Sequence, residues 1–201
     1  MNHILISGFE PFGGERVNPS AEVARTLNGT DVRGVRLRAV VLPVDWHTGP
    51  QRLLAELGQA GPRALLMLGQ SARSTALTLE RVAVNLRSGV DAAGCEANDV
   101  AVVEGGPAAY FSTLPLGDLM RALREQASPA TLSSSAGLYL CNAVFYAAMH
   151  FLEQRDLAIP AGFVHLPLLP EQALAKDPPP ASMSLDDQAR GVLALAAILA
   201  G

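Results

Sequence analysis

Apolar runs of strand length alternate with amphipathic helical patterns along most of this 201-residue chain. The runs are bounded by glycine, proline and other turn-forming residues, and helical segments separate most of them. Strands that alternate with helices in this way favour a parallel sheet covered by helices on both faces. We therefore predict an α/β fold, an αβα sandwich with a central, mainly parallel sheet, formed as a single domain over residues 1–201.

Individual elements follow from the same patterns. The predicted strands cover residues 3–9, 35–43, 64–68, 77–86, 137–140 and 162–166. The predicted helices cover residues 21–27, 48–59, 116–126, 142–149 and 185–199. We expect Asn18 or Ser20 to cap the first helix and Ser184 to cap the last, because short polar side chains accept hydrogen bonds from the first helical N–H groups. Residues 88–107 are expected to form an exposed loop, 128–135 a polar connection and 167–180 a proline-rich loop.

Composition and charge exclude several classes of protein. Hydrophobic residues make up 49% of the chain and charged residues 17%, which suits a large core rather than disorder. The net charge of −4 and the scattered basic residues argue against a nucleic-acid partner. The longest apolar tract, 191–201, is too short for a membrane span of about 20 residues. Two cysteines cannot form a disulfide framework, and the N-terminus lacks a signal-like charged region. We expect a cytoplasmic protein with no membrane partner.

Cys141 is the strongest functional candidate. It stands between the predicted strand 137–140 and the predicted helix 142–149. Backbone N–H groups at a helix N-terminus favour negative charge, so a thiol at this position is favoured as the nucleophilic thiolate. A buried core cysteine is the alternative, since free cysteine is often buried. Cys95, in contrast, lies in a loop with no helix after it and is interpreted as an incidental thiol.

A cysteine nucleophile needs a base, and the chain has four histidines. His3 opens the first strand and is expected at the opposite edge of the sheet. His150 follows Cys141 by nine residues on the same helix and faces away from it. His47 follows a strand end and stays a candidate. His165 lies at the end of the strand 162–166, at the same sheet edge as Cys141, and is the favoured base.

Glu80 is the candidate for orienting that base. Alternation along the predicted strand 77–86 places it on the face of Val82 and Val84. An acid on an apolar face is costly unless it is paired. Three interpretations account for it: a salt bridge to a nearby arginine, a strand-end side chain that reaches solvent, or a carboxylate that accepts a hydrogen bond from His165.

Several dispersed motifs carry a resemblance to a known family. In order, they are GFEPFGG at 8–14, NPS at 18–20, GQ at 69–70, ERVAVN at 80–85, GLYLCN at 137–142, FVHLP at 163–167, PEQ at 170–172 and SMSLDD at 182–187. With these segments the chain resembles the pyroglutamyl-peptidase I family of cysteine peptidases over nearly its whole length.

The resemblance implies removal of an N-terminal pyroglutamyl residue from peptides through a thioester acyl-enzyme. It implies Cys141 as nucleophile, His165 as base and then acid, and Glu80 as the group that orients His165. It also implies no cofactor, a cytoplasmic location and a homo-oligomer, either dimer or tetramer; we expect no metal site. The substrate-binding residues implied are Phe9, Phe12, Asn18, Gln70, Tyr139 and Leu140.

Pyroglutamate is a flat, uncharged lactam with one N–H donor and one carbonyl acceptor, which suits an aromatic slot with a few fixed polar groups. The chain departs from the family at Val90, where the family usually has an arginine near the oxyanion. The backbone N–H of Cys141 is the donor that remains there. Two other functions stay open: a different Cys/His amidase, and a binder of pyroglutamyl peptides that keeps the pocket with weak or no catalysis.

Overall fold

The computed structural model describes residues 2–201 and has a seven-stranded sheet at its centre. The strand order is β10-β5-β11-β4-β1-β3-β2. The sheet strands are β1 (His3–Phe9), β2 (Asp31–Val32), β3 (Val35–Leu42), β4 (Ala64–Gln70), β5 (Leu77–Glu80), β10 (Ala130–Ser133) and β11 (Ala161–Leu166). Four of its six strand pairs are parallel; β2 against β3 and β5 against β11 are antiparallel. The prediction of a mainly parallel sheet is confirmed.

Helices cover both faces of the sheet, as the αβα prediction requires. They are α1 (Pro19–Leu27), α2 (Thr48–Ala60), α3 (Leu116–Glu125), α4 (Leu140–Gln154), α5 (Pro170–Leu174) and α6 (Leu185–Ala200). Alternation along β1 explains the two faces: Ile4 and Ile6 enter the core beneath α1, α3 and α6, whereas Leu5 and Phe9 enter the core beneath α2 and α4. Strands buried on both faces are continuously apolar, and this is why they are visible in the sequence.

The predicted strand 77–86 is wrong in its second half. β5 ends at Glu80, and β6 (Val82–Val84) leaves the central sheet to pair with β9 (Ala109–Phe111). The backbone of Arg81 marks the change, because its N–H donates to Ser133 in β10 while its carbonyl accepts from Ser112, just beyond β9. One apolar run therefore contributes strands to two different sheets. The periodicity of a sequence does not show at which residue a strand leaves one sheet for another.

Four other expectations are also corrected. The loop predicted at 88–107 contains a hairpin of β7 (Arg87–Val90) and β8 (Glu96–Val100), and the polar connection at 128–135 contains the edge strand β10. No strand forms at 137–140: Gly137 has a φ of 77° and α4 begins at Leu140. The proline-rich segment contains the short helix α5.

The helix caps agree with the sequence. Asn18 is the N-cap of α1, where its side chain accepts from the N–H of Ser20, and Ser184 caps α6 by accepting from the N–H of Asp187. Within residues 2–201, none of the helices has the length and apolar character to cross a membrane.

Candidate active site

A buried polar contact joins His165 to Glu80. The Nδ1 of His165, at the end of β11, lies 2.8 Å from the Oε1 of Glu80. Only 2% of Glu80 and 8% of His165 is exposed. Thr78 pairs with His165 across the antiparallel strands, so Glu80 is its diagonal neighbour, within reach of a long side chain. Because the carboxylate accepts a hydrogen bond from the Nδ1–H of His165, the Nε2 of that ring is directed away from Glu80.

Of the three interpretations of Glu80, the structure shows the contact with His165. The alternation used to place Glu80 does not hold, because β5 ends there, yet the side chain is buried as the pattern suggested. Its second oxygen, Oε2, has no hydrogen-bond partner among residues 2–201. A buried carboxylate with one partner, an imidazole, stabilises positive charge on that imidazole.

The pKa of His165 reflects its surroundings. Burial by itself lowers this pKa. The charge of Cys141 and its hydrogen bond to His165 raise it, and so do the hydrogen bond and the charge of Glu80. Together these effects outweigh burial and raise the pKa of His165 to about 10. Both partners stabilise the imidazolium. The arrangement therefore favours the protonated form of His165.

Cys141 is the second residue of α4 and is half-buried. Its own N–H lies in the first turn, where a helix offers no acceptor, so it is available to a ligand. The sulfur rests against the backbone of β4: a β-carbon added to Gly69 would lie 2.8 Å from Sγ. The expected position at a helix N-terminus is thus present, although a turn rather than a strand precedes it.

The other histidines lie elsewhere. The Nδ1 of His150 is 2.9 Å from the hydroxyl of Tyr110, and its ring stacks on Tyr146. His47 is the N-cap of α2, and His3 is buried at the start of β1. Cys95, in the turn between β7 and β8, is exposed and lies in no such arrangement. Only His165 among the four histidines contacts Glu80.

Aromatic rings gather beside Cys141. Tyr139, two residues before it, has its ring centroid 6.2 Å from that of Phe12 and 5.2 Å from that of Trp46. We call Phe12, Trp46 and Tyr139 the aromatic cluster. Sequence reasoning missed Trp46, although it is the only tryptophan of the chain and lies just after β3, where ligand sites of α/β sheets form. Phe9 and Leu140, the first residue of α4, are buried in the core between the sheet and α4.

The β7–β8 hairpin closes one side of the aromatic cluster. The hydroxyl of Tyr139 donates to the carbonyl of Val90 at 2.9 Å, and the Nε1 of Trp46 donates to the carbonyl of Cys95 at 2.9 Å. Asp91 accepts from the N–H of Trp46 and stabilises the hairpin turn by accepting from Cys95. The side chain of Val90 is 56% exposed, so only its backbone joins this contact.

Asn18 and Gln70 lie at the base of the loop that carries Phe12. Asn18 is 1% exposed; its Nδ2 donates to the carbonyl of Glu10, and its Oδ1 accepts from the N–H and the hydroxyl of Ser20. Among residues 2–201, the Nδ2 of Asn18 donates to this one carbonyl. Gln70 ends β4, and its Oε1 accepts from Gln172.

A thiol at a helix N-terminus, a buried imidazole and a carboxylate behind that imidazole are the groups of a cysteine hydrolase. Comparison with known proteins specifies the family. The family model described as pyroglutamyl peptidase matches residues 2–200. This chain therefore belongs to the pyroglutamyl peptidase family.

Individual relatives agree with the family model. The chain is 40% identical over 194 residues to a pyrrolidone-carboxylate peptidase of Bacillus cereus, covering 96% of this chain and 90% of that protein. It is 43% identical over 189 residues to one of Chromobacterium violaceum, covering 93% and 87%.

Solved structures show the same fold. Pyrrolidone carboxyl peptidase of Pyrococcus furiosus superposes with a TM-score of 0.95 at 35% identity, covering 98% of this chain and 97% of that chain. Pyroglutamyl peptidase I of Bacillus amyloliquefaciens gives a TM-score of 0.95 at 32% identity, covering 100% and 97%.

Proposed function

We propose that this protein is a cysteine peptidase that removes an N-terminal pyroglutamyl residue from peptides. Membership of the pyroglutamyl peptidase family gives the reaction. The observation that carries the proposal is the buried contact between His165 and Glu80, together with the coupling of His165 to Cys141 at the start of α4. Cys141 is then the nucleophile, His165 the proton carrier and Glu80 the residue that orients it.

The first half of the reaction forms a thioester. The Cys141 thiolate attacks the carbonyl carbon of the pyroglutamyl residue, and the carbonyl oxygen becomes an oxyanion that the backbone N–H of Cys141 stabilises. When the tetrahedral intermediate collapses, the C–N bond breaks and the leaving amine takes the proton from Nε2 of His165. Because the raised pKa of His165 keeps it protonated at neutral pH, the acid for this step is present from the start.

The second half releases pyroglutamate. His165, now neutral, removes a proton from water, and the resulting hydroxide adds to the thioester carbonyl. Collapse of this intermediate breaks the C–S bond and expels the Cys141 thiolate beside a protonated His165, which restores the starting pair. Glu80 stabilises the imidazolium at both ends of the cycle and holds the ring by its Nδ1–H.

The aromatic cluster supports recognition of the lactam ring. Flat apolar walls from Phe12 and Tyr139 suit a ring that carries no charge, whereas a free N-terminal ammonium would lose its water there without a counter-charge. We assign substrate contacts to Phe9, Phe12, Asn18, Gln70, Tyr139 and Leu140. Trp46 is added as the support of Tyr139.

Three wider features belong to the same proposal. We propose a cytoplasmic location, which the resemblance to the pyroglutamyl peptidase family implies. We propose a single catalytic domain, which the family match over residues 2–200 supports. A dimer or tetramer of this chain is proposed from the family resemblance, and the exposed side chains of Phe111 and Leu174 offer apolar surface for it.

Cleavage of a pyroglutamyl-anilide by wild type and by Cys141→Ala tests the function. We expect release of the aniline by wild type, its loss on treatment with iodoacetamide, and its absence in Cys141→Ala. Cys95→Ala is the matched control, because that thiol is exposed and outside the site. Cleavage of glutaminyl- or prolyl-anilides at the same rate would point to a broader amidase. Binding of a pyroglutamyl peptide without cleavage would point to a binding protein.

A further inference from the structure

Gln172, in α5, is a buried glutamine to which the proposed reaction gives no role. Its side chain is 3% exposed and makes three hydrogen bonds. Its Oε1 accepts from the N–H of Leu169 at 3.0 Å, and its Nε2 donates to the carbonyl of Val17 at 3.2 Å and to the Oε1 of Gln70 at 3.0 Å. A buried amide with this many partners fixes the segments that it joins.

The direction of each bond is set by backbone chemistry. The N–H of Leu169 can only donate and the carbonyl of Val17 can only accept, so both determine the same orientation of the Gln172 amide. The Nε2 of Gln172 must then face Gln70, and Gln70 must accept this hydrogen bond with its Oε1. The Nε2 of Gln70 has no acceptor among residues 2–201, which leaves it a donor of fixed direction at the end of β4.

Three parts of the site meet at Gln172. Val17 ends the 10–17 loop, which carries Phe12. Gln70 follows Gly69, on which the sulfur of Cys141 rests. Leu169 follows the strand β11 that carries His165. The loop, the strand below the nucleophile and the segment after the base are thereby linked by one side chain.

We propose that Gln172 is a positioning residue that sets the specificity of the pyroglutamyl pocket. It holds the side chain of Gln70 so that the amide N–H groups of Gln70 stay free, and it fixes the 10–17 loop. The proposal rests on the proposed function and deepens it. A fixed donor suits the ring carbonyl of pyroglutamate. A prolyl ring has a methylene at that position, and it would leave the donor of the half-buried Gln70 unpaired, which costs binding.

Two variants of Gln172 test the proposal. Gln172→Met keeps the length and removes all three bonds, while Gln172→Glu still accepts from Leu169 but cannot donate to Val17 or Gln70 when ionised. We expect each to raise KM for a pyroglutamyl-anilide by about tenfold, the scale of one or two lost hydrogen bonds, with kcat changed by less than about twofold. The rate at which iodoacetamide alkylates Cys141 should not change, because neither variant touches the sulfur.

Gln188 provides the matched control. It is also fully buried, and its Nε2 donates to the carbonyls of Pro167 and Met183, but it contacts neither Gln70 nor the 10–17 loop. Gln188→Met should lower Tm without changing KM. If Gln172→Met lowers Tm and leaves KM as in wild type, Gln172 is merely structural and the proposal is overturned.

A binding measurement separates this proposal from the proposed function. Calorimetric titration of wild type and Gln172→Glu with pyroglutamyl amide needs no turnover, and we expect about tenfold weaker binding to the variant. If wild type binds the amide but does not cleave the anilide, the proposed catalysis is wrong. The difference in affinity between wild type and Gln172→Glu then still decides whether Gln172 positions the pocket. Wild type that cleaves, with equal affinity in the variant, would sink the role of Gln172 alone.

Discussion

The α-carbon of Gly69 lies directly against the sulfur of Cys141, and a β-carbon there would approach Sγ to 2.8 Å and the Phe163 ring to 2.6 Å. Real β-carbons do not come so close to other heavy atoms, so any larger residue at position 69 must move the sulfur of Cys141 or the ring of Phe163. The position of this sulfur, the proposed nucleophile, therefore depends on a residue that has no side chain.

Gly69→Ala should lower kcat/KM by about 100-fold, since a displacement of about 1 Å at a reacting atom has that effect. The measurement is anilide cleavage together with the rate of Cys141 alkylation. Gly58→Ala is the control: it lies in α2, where the new methyl group would be 3.6 Å from Phe151, an ordinary contact. Equal activity of the two variants would show that the sulfur tolerates a shift.

Glu80→Gln should lower kcat by on the order of 100-fold or more with little change in KM, because the imidazolium loses its charged partner while the side chain keeps its size. The test is the kcat and KM of the purified variant. Glu56→Gln removes a carboxylate from a surface pair with Arg38 and should leave both constants unchanged. A Glu80→Gln enzyme with the kcat of wild type would remove Glu80 from the mechanism.

Cys141→Ala should lower the pKa of His165 from the value of about 10. The sign follows from the causes: the variant removes the charge and the hydrogen bond of Cys141, both of which raise this pKa, and leaves burial, which lowers it. NMR titration of the imidazole C–H resonances measures the change. An identical pKa of His165 in the two proteins would show that Cys141 does not act on this imidazole.

Tyr139→Phe should raise KM by about two- to tenfold, the range for one lost hydrogen bond, because its hydroxyl no longer reaches the carbonyl of Val90. kcat should change little, since the hydroxyl is bonded to the hairpin and the catalytic groups are untouched. Tyr146→Phe is the matched control, as it removes a hydroxyl that donates to Pro107 outside the aromatic cluster. A KM that rises equally in the two variants would indicate general loosening of the fold.

The sequence predicts much of the fold because the central strands are buried on both faces. β1, β4 and β11 are continuously apolar and flanked by turns, and each was identified to within about two residues, the usual scatter at element ends. Edge and satellite strands were missed. β10 and β7 are exposed or half-buried, carry polar residues and depend on long-range partners, so no local period marks them.

The residues of the candidate site are likewise predicted only in part. Cys141 and His165 stand at element ends, where motifs and spacing indicate them. Trp46 and Gln172 were not recognised as parts of the site, because their importance lies in contacts with residues that are distant in sequence. Trp46 reaches Cys95, and Gln172 reaches Gln70. Such contacts have no local signature and are visible only in three dimensions.

The hairpin beside the aromatic cluster has a further consequence. Tyr139 and Trp46 both donate to main-chain carbonyls, those of Val90 and Cys95, and the side chains at these two positions point outward. Substitution at either position leaves the two bonds intact. Substitutions at these positions can therefore change the exposed surface of the hairpin, while the aromatic cluster that we propose for the lactam keeps its arrangement.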